Sequence, residues 1–87
     1  MGRVGKVGNV IERTKVLIVW HDAHSEGDGW CDVDDIDDEP CVVETVGWLL
    51  RDRKQGHVVV AQSITNIDQV DSLLCIPIHM IRSMRVV

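Results

Sequence analysis

Phenylalanine and tyrosine are both absent from this chain of 87 residues, and its aromatic complement is Trp20, Trp30 and Trp48 alone. A core built from it is therefore aliphatic, made chiefly of Val, Ile and Leu. Cysteine is scarce: Cys31, Cys41 and Cys75 are odd in number and widely spaced. That excludes the paired framework of a small disulfide-stapled secreted domain and points to reduced thiols. No stretch approaches the roughly 18 consecutive apolar residues of a membrane span. Residues 1–14 carry Arg3, Lys6 and Arg13 but lack the apolar run of a secretory leader. The myristoylation pattern requires Ser or Thr where this chain has Lys6. The expectation is a cytoplasmic protein with no membrane partner. The length allows one domain and leaves no room for a second core.

The net charge of −5 hides a segregation. Residues 26–39 hold eight acidic residues and no basic one, which leaves six acidic against nine basic elsewhere. An acidic balance argues against a protein that works mainly by neutralising phosphates, although a basic face can persist within it. Small domains bury a modest fraction of their surface and gain from association, so a homo-oligomer is expected.

Along the chain, residues 1–14 read as a flexible arm, and residues 15–87 as a single β domain. The run Val10–His21 holds Val16, Leu17, Ile18, Val19 and Trp20, apolar on both faces, as in a strand buried on both sides. Asp22–Gly29 carries turn chemistry. Trp30, Val33 and Ile36 then recur every three residues in an acidic background, which predicts a short helical turn over about 30–38, stopped by Pro40. Cys41–Leu50 and His57–Ser63 read as a hairpin joined by a polar, Gly-containing tip. In its first arm Val42, Glu44, Val46, Trp48 and Leu50 share one face, while Cys41, Val43, Thr45, Gly47 and Leu49 share the other. Gly47 marks a bend or bulge. A fourth strand over Ser72–Ile76, a 3₁₀ turn at about 77–80 and a last strand over Ile81–Val87 complete a mainly β chain. Five short strands with hairpin-length connections predict a small, partly open five-stranded barrel, SH3-like or Sm-like. The segment Leu74-Cys75-Ile76-Pro77-Ile78-His79-Met80-Ile81 is similar to the end of SH3-like barrels.

The chemistry-bearing residues form several candidate sets. The acidic surface of Asp32, Asp34, Asp35, Asp37 and Asp38 invites a calcium reading, but no start within it satisfies the EF-hand pattern, because Ile36 and Asp37 stand where a loop begun at Asp32 needs an oxygen ligand and a glycine. A solvated loop is the plainer reading, and imitation of phosphates to occupy a basic groove is the sharper one. His21, His24, Cys31 and Cys41 offer zinc ligand types, yet the two cysteines lie ten residues apart, not in a tight pair. No metal or cofactor is therefore expected, and the thiols read as buried. Cys41 or Cys75 with His57 and Asp22 is the best nucleophile, base and acid set the chain offers, but no motif marks it. No enzyme activity is expected. Arg51, Arg53 and Lys54 cluster at the hairpin tip, while Arg82 and Arg85, three apart, fall on opposite faces of the last strand unless a bulge intervenes. Read blandly, these are solvated charges that protect an edge; read sharply, repeated guanidinium groups in an oligomer converge on phosphate. Trp20, Trp30 or Trp48 could then stack a base, with His21 beside them. The alternative for the tryptophans is packing, with Trp30 capping one open end of the barrel.

The steps Trp20-His21-Asp22-Ala23, Gly29-Trp30, Glu39-Pro40, Val46-Gly47-Trp48-Leu49, Ala61-Gln62-Ser63, Ile76-Pro77 and Met80-Ile81 resemble a group of small, mostly uncharacterised proteins of bacteriophage and prophage genomes. The resemblance runs from Lys15 to Val87 and leaves residues 1–14 outside it. It implies a viral or prophage origin and a host-cytoplasmic setting, and carries no catalytic or binding residues with it. The reading from sequence is thus a non-catalytic binding module that engages a host protein or a small nucleotide. The alternatives are a nucleic-acid binder that uses the basic arm and hairpin tip, and a structural virion or assembly component.

Overall fold

A computed structural model describes residues 13–23, 29–36 and 39–87. β-Branched and aliphatic runs form five strands: β1 (Lys15–Asp22), β2 (Cys41–Leu50), β3 (His57–Ile64), β4 (Val70–Pro77) and β5 (Ile81–Val86). They make one antiparallel sheet in the order β4-β3-β2-β1-β5. The five expected strands are present, and the expected 3₁₀ turn before the last one spans Ile78–Met80. The sheet is not closed into a barrel. Among the described residues β4 bonds only to β3 and β5 only to β1, because the chain leaves β4 at Pro77 and the 3₁₀ turn carries it past the end of the sheet to the far side of β1.

Alternation along β1 sets the core. Val16, Ile18 and Trp20 point to one face and pack with Leu49, Val60 and Ile76, against which Val43, Val58, Met80 and Ile81 also rest. The other face of β1 is half-buried at Leu17 and Val19, so the strand is covered fully on one side only. Trp20 is a core residue whose indole Nε1–H donates to Thr45 Oγ1 at 3.0 Å. A second small cluster, Leu50, Val59 and Ala61, sits at the other end of β2 with Val70 packed on it. Ser72, the third residue of β4, has a φ of 57°, a left-handed backbone conformation two residues after Val70.

β2 belongs to both halves of the sheet. It pairs with β1 over Cys41–Trp48 but with β3 only over Trp48–Leu50, so the hairpin expected from sequence zips only beside its tip. The handover falls beside Gly47, where a Cβ would stand 3.0 Å from both the Ala61 carbonyl oxygen and the Val60 Cβ. A side chain there would meet a contact tighter than ordinary van der Waals packing, and β3 would have to give by a few tenths of an ångström. The β3–β4 turn is built by Thr65, whose Oγ1 accepts from Gln69 N at 3.0 Å while its backbone N–H donates to Gln69 O at 2.8 Å. Of the expected arm, residues 1–12 lie outside the described residues, but its last two are held in place. Thr14 O accepts from Leu49 N at 2.7 Å, and the Arg13 guanidinium pairs with Asp68 and donates to Thr65 O.

Gly47→Ala is expected to destabilise the fold by about 1–3 kcal/mol, since a methyl group must force β2 and β3 apart. Denaturant unfolding that shows an unchanged midpoint would dismiss the close approach. Thr45→Val leaves the Trp20 indole N–H without its partner and is expected to cost about 1 kcal/mol in the same measurement.

Candidate binding surfaces

The connection between β1 and β2 carries the acidic residues. At its centre Val33–Asp35 forms one 3₁₀ turn, closed by Asp35 N to Asp32 O at 2.9 Å and Ile36 N to Val33 O at 3.3 Å. The turn is shorter than the expected 30–38 span, and Asp37 and Asp38 lie outside the described residues. Trp30 does not cap an end of the sheet. It is fully exposed, and Val33 and Ile36 are 80% and 52% exposed. The reason is that the core face is already complete without it: Trp20, Val43, Met80 and Ile81 occupy the end of the sheet nearest this connection. Asp32, Asp34 and Asp35 point into solvent around the apolar residues.

The sheet face opposite the core carries the second set. β1 and β2 place Lys15 beside Trp48, Leu17 beside Val46, Val19 beside Glu44 and His21 beside Val42. Val42 and Val46 are exposed, and Lys15 Nζ lies 5.7 Å from the centre of the Trp48 ring, a cation–π contact that covers part of that indole. The register between β1 and β5 shifts by one residue between Val19 and Trp20, so Arg82 is the extra residue of a bulge. The shift brings Arg82 to the face of His21, where Arg82 Nε donates to His21 Nδ1 at 3.1 Å. Arg85, opposite Leu17, lies on the same face. The two arginines, three apart in sequence, therefore share a side.

The third set surrounds a cavity of about 260 Å³ at the β2–β3 tip. Leu49 and Leu50 of β2, Val58 of β3, Ile78 of the 3₁₀ turn and Met84 of β5 form its apolar floor. Arg51, Asp52 and His57 stand at its rim, with Arg53 and Lys54 exposed on the adjoining tip. Backbone bonds hold this corner together: His57 N donates to Lys54 O at 3.2 Å, and Ile78 N donates to Gly56 O at 3.0 Å. The His57 ring is oriented through Nδ1, 2.9 Å from Gln55 O. Ile78, Val58 and Met84 were not among the residues singled out from sequence, because four separate elements supply this wall and no local spacing marks them.

The nucleophile set is not assembled. Asp22 and Cys41 are cross-strand neighbours at one end of β2, whereas His57 is at the other end, opposite Pro77. The cysteines are not the buried thiols expected: Cys31 and Cys75 are exposed and Cys41 is half-buried. Cys75 lies on β4, the edge of the sheet, and Cys31 lies on the exposed connection. Of the zinc candidates, His24 lies outside the described residues. Among the described residues no three His, Cys, Asp or Glu side chains come together as a metal site, and no helix is long and apolar enough to cross a membrane. No known protein family, curated protein or solved structure matches the chain.

At a concentration where the chain is monomeric, Trp30→Ala is expected to leave the unfolding free energy within about 0.5 kcal/mol of the parent, the range of surface substitutions. A loss of 2 kcal/mol or more, on the order of a buried aromatic truncation, would restore the capping role.

Proposed function

We propose that this chain is a non-catalytic binding module, a phage or prophage accessory factor that works in the host cytoplasm and assembles with copies of itself. The architecture is read as a partly open SH3-like or Sm-like barrel in which both edges of the sheet remain free. The observation that carries this reading is the apolar surface left outside the core. Trp30, Val33 and Ile36 project from the β1–β2 connection, Leu73 and Leu74 line one edge strand, and Met84 and Val86 line the other. They lie at three places, the connection and the two sheet edges, and each is read as a surface that a partner covers. β4 in particular has few of the devices that protect edges, Asp71 and the kink at Ser72 being those it carries. It has no lysine or arginine, and its one proline stands at its last position. β5 carries Arg82 and Arg85, and β4 carries Asp71, so an edge of one copy and the opposite edge of the next are complementary in charge as well as in open backbone.

The partner of the assembled module is a host protein or a small nucleotide. Exposed Trp30 and the basic tip of Arg51, Arg53 and Lys54 support either, through an aromatic anchor or through phosphate recognition. The decisive experiment is native mass spectrometry of the protein purified from an expressing bacterium. An oligomer that carries a stoichiometric nucleotide or one defined host protein is the expected result. A bare monomer at micromolar concentration overturns the reading. Tight binding of single-stranded DNA or RNA that weakens steeply with salt transfers the assignment to a nucleic-acid binder. Leu73→Lys, which places a charge on the unprotected edge, is expected to lower the order of the oligomer without loss of the cooperative melt.

A further inference from the structure

We infer that the Trp30–Val33–Ile36 ridge of one copy docks into the cavity at the β2–β3 tip of a second copy. This rests on the reading of the chain as a binding module and is independent of pairing between sheet edges. Val33 opens the 3₁₀ turn and Ile36 closes it, with Ile36 N donating to Val33 O, while Trp30 stands three residues ahead of the turn, before the extended Asp32. All three are exposed, and Trp30 is bare of any cover. The ridge is flanked by Asp32, Asp34 and Asp35, so the surface that receives it must be apolar at its centre and basic around it.

The molecule carries such a surface. The cavity floor of Leu50, Val58, Ile78 and Met84 is apolar, and Arg53 and Lys54 stand exposed beside it. Asp52 is the one acidic residue at its rim. Its volume of about 260 Å³ falls below the roughly 300–1,000 Å³ of small-molecule sites. A single large side chain is the better fit, and tryptophan set in a pocket and ringed by weaker contacts is the commonest form of such an anchor. The ridge leaves the sheet at the Asp22–Cys41 pair, and the cavity begins at Leu49, so the two stand near opposite ends of β2. Eight strand steps, roughly 26 Å, separate Cys41, where the connection joins β2, from Leu49 at the start of the cavity. A ridge at one end and its receptor at the other make the contact head-to-tail, the heterologous geometry that generates rings or open chains.

The test uses two different lesions that should rescue each other. All variants carry Leu73→Lys, which removes the contribution of the β4 edge. Trp30→Ala destroys the ridge and keeps the cavity; Ile78→Glu blocks the cavity and keeps the ridge. Ile78 is 53% exposed and Trp30 fully exposed, so both chains should fold, which circular dichroism melts verify. In sedimentation velocity the Leu73→Lys chain should self-associate, each of the two further variants should do so at least about tenfold more weakly, the effect of one lost anchor residue, and an equimolar mixture should form a 1:1 heterodimer that weakens as salt is raised. The inference is overturned if Trp30→Ala associates as its parent does, if folded variants give no heterodimer when mixed, or if Trp30 is sheltered from a fluorescence quencher to the same degree at every protein concentration, which would mean that the ridge folds onto its own chain. Loss of oligomerisation in Leu73→Lys alone, with no heterodimer, would leave edge pairing standing and this contact refuted.

Discussion

The architecture depends on the close approach of β3 to Gly47. β2 must serve two partners, β1 along most of its length and β3 at its last three residues, and β3 approaches so closely that a Cβ on Gly47 would stand 3.0 Å from the Ala61 carbonyl oxygen and the Val60 Cβ. A residue with no side chain allows the sheet to change partner there. From that handover follow the two cores, one beneath β1 and one at the tip beside β3, and the corner at which Leu49 and Leu50 meet Ile78 and Met84.

The open order of strands has a second consequence. A sheet that ends in β4 on one side and β5 on the other presents two unlike edges, and an aliphatic chain without Phe or Tyr has few large side chains with which to cover them. Stability and association are thereby linked. The apolar side chains that the small core cannot enclose, such as Leu73 and Val86, are those that a neighbouring molecule can remove from water.

Charge is distributed along the long direction of β2. The acidic residues collect on the connection that precedes it, and Arg51, Arg53 and Lys54 follow it at the hairpin tip. In sequence this looks like an acidic block in an otherwise basic chain. In the fold Asp32, Asp34 and Asp35 are exposed on the connection that enters β2 at Cys41, and Arg51, Arg53 and Lys54 follow its last residue, Leu50. The bulge in β5 adds a third feature by turning Arg82 towards His21 and onto the face of Arg85.

The sequence by itself determined the strands, the hairpin tip, the 3₁₀ turn at Ile78–Met80 and the faces of β2, because alternation and turn chemistry are local properties that each segment expresses alone. It also singled out Gly47 as a special position, though not the contact that requires it. Only the tertiary structure decided that the sheet stays open, since closure depends on where β4 and β5 stand relative to one another and no local pattern encodes that distance. The same holds for the tryptophans. Trp20 and Trp30 are equally apolar as letters, yet one donates to Thr45 within the core and the other stands in solvent. A three-residue spacing identifies the side of a turn on which side chains fall, but whether anything covers that side is settled by the rest of the molecule, and here the core beneath β1 was already filled.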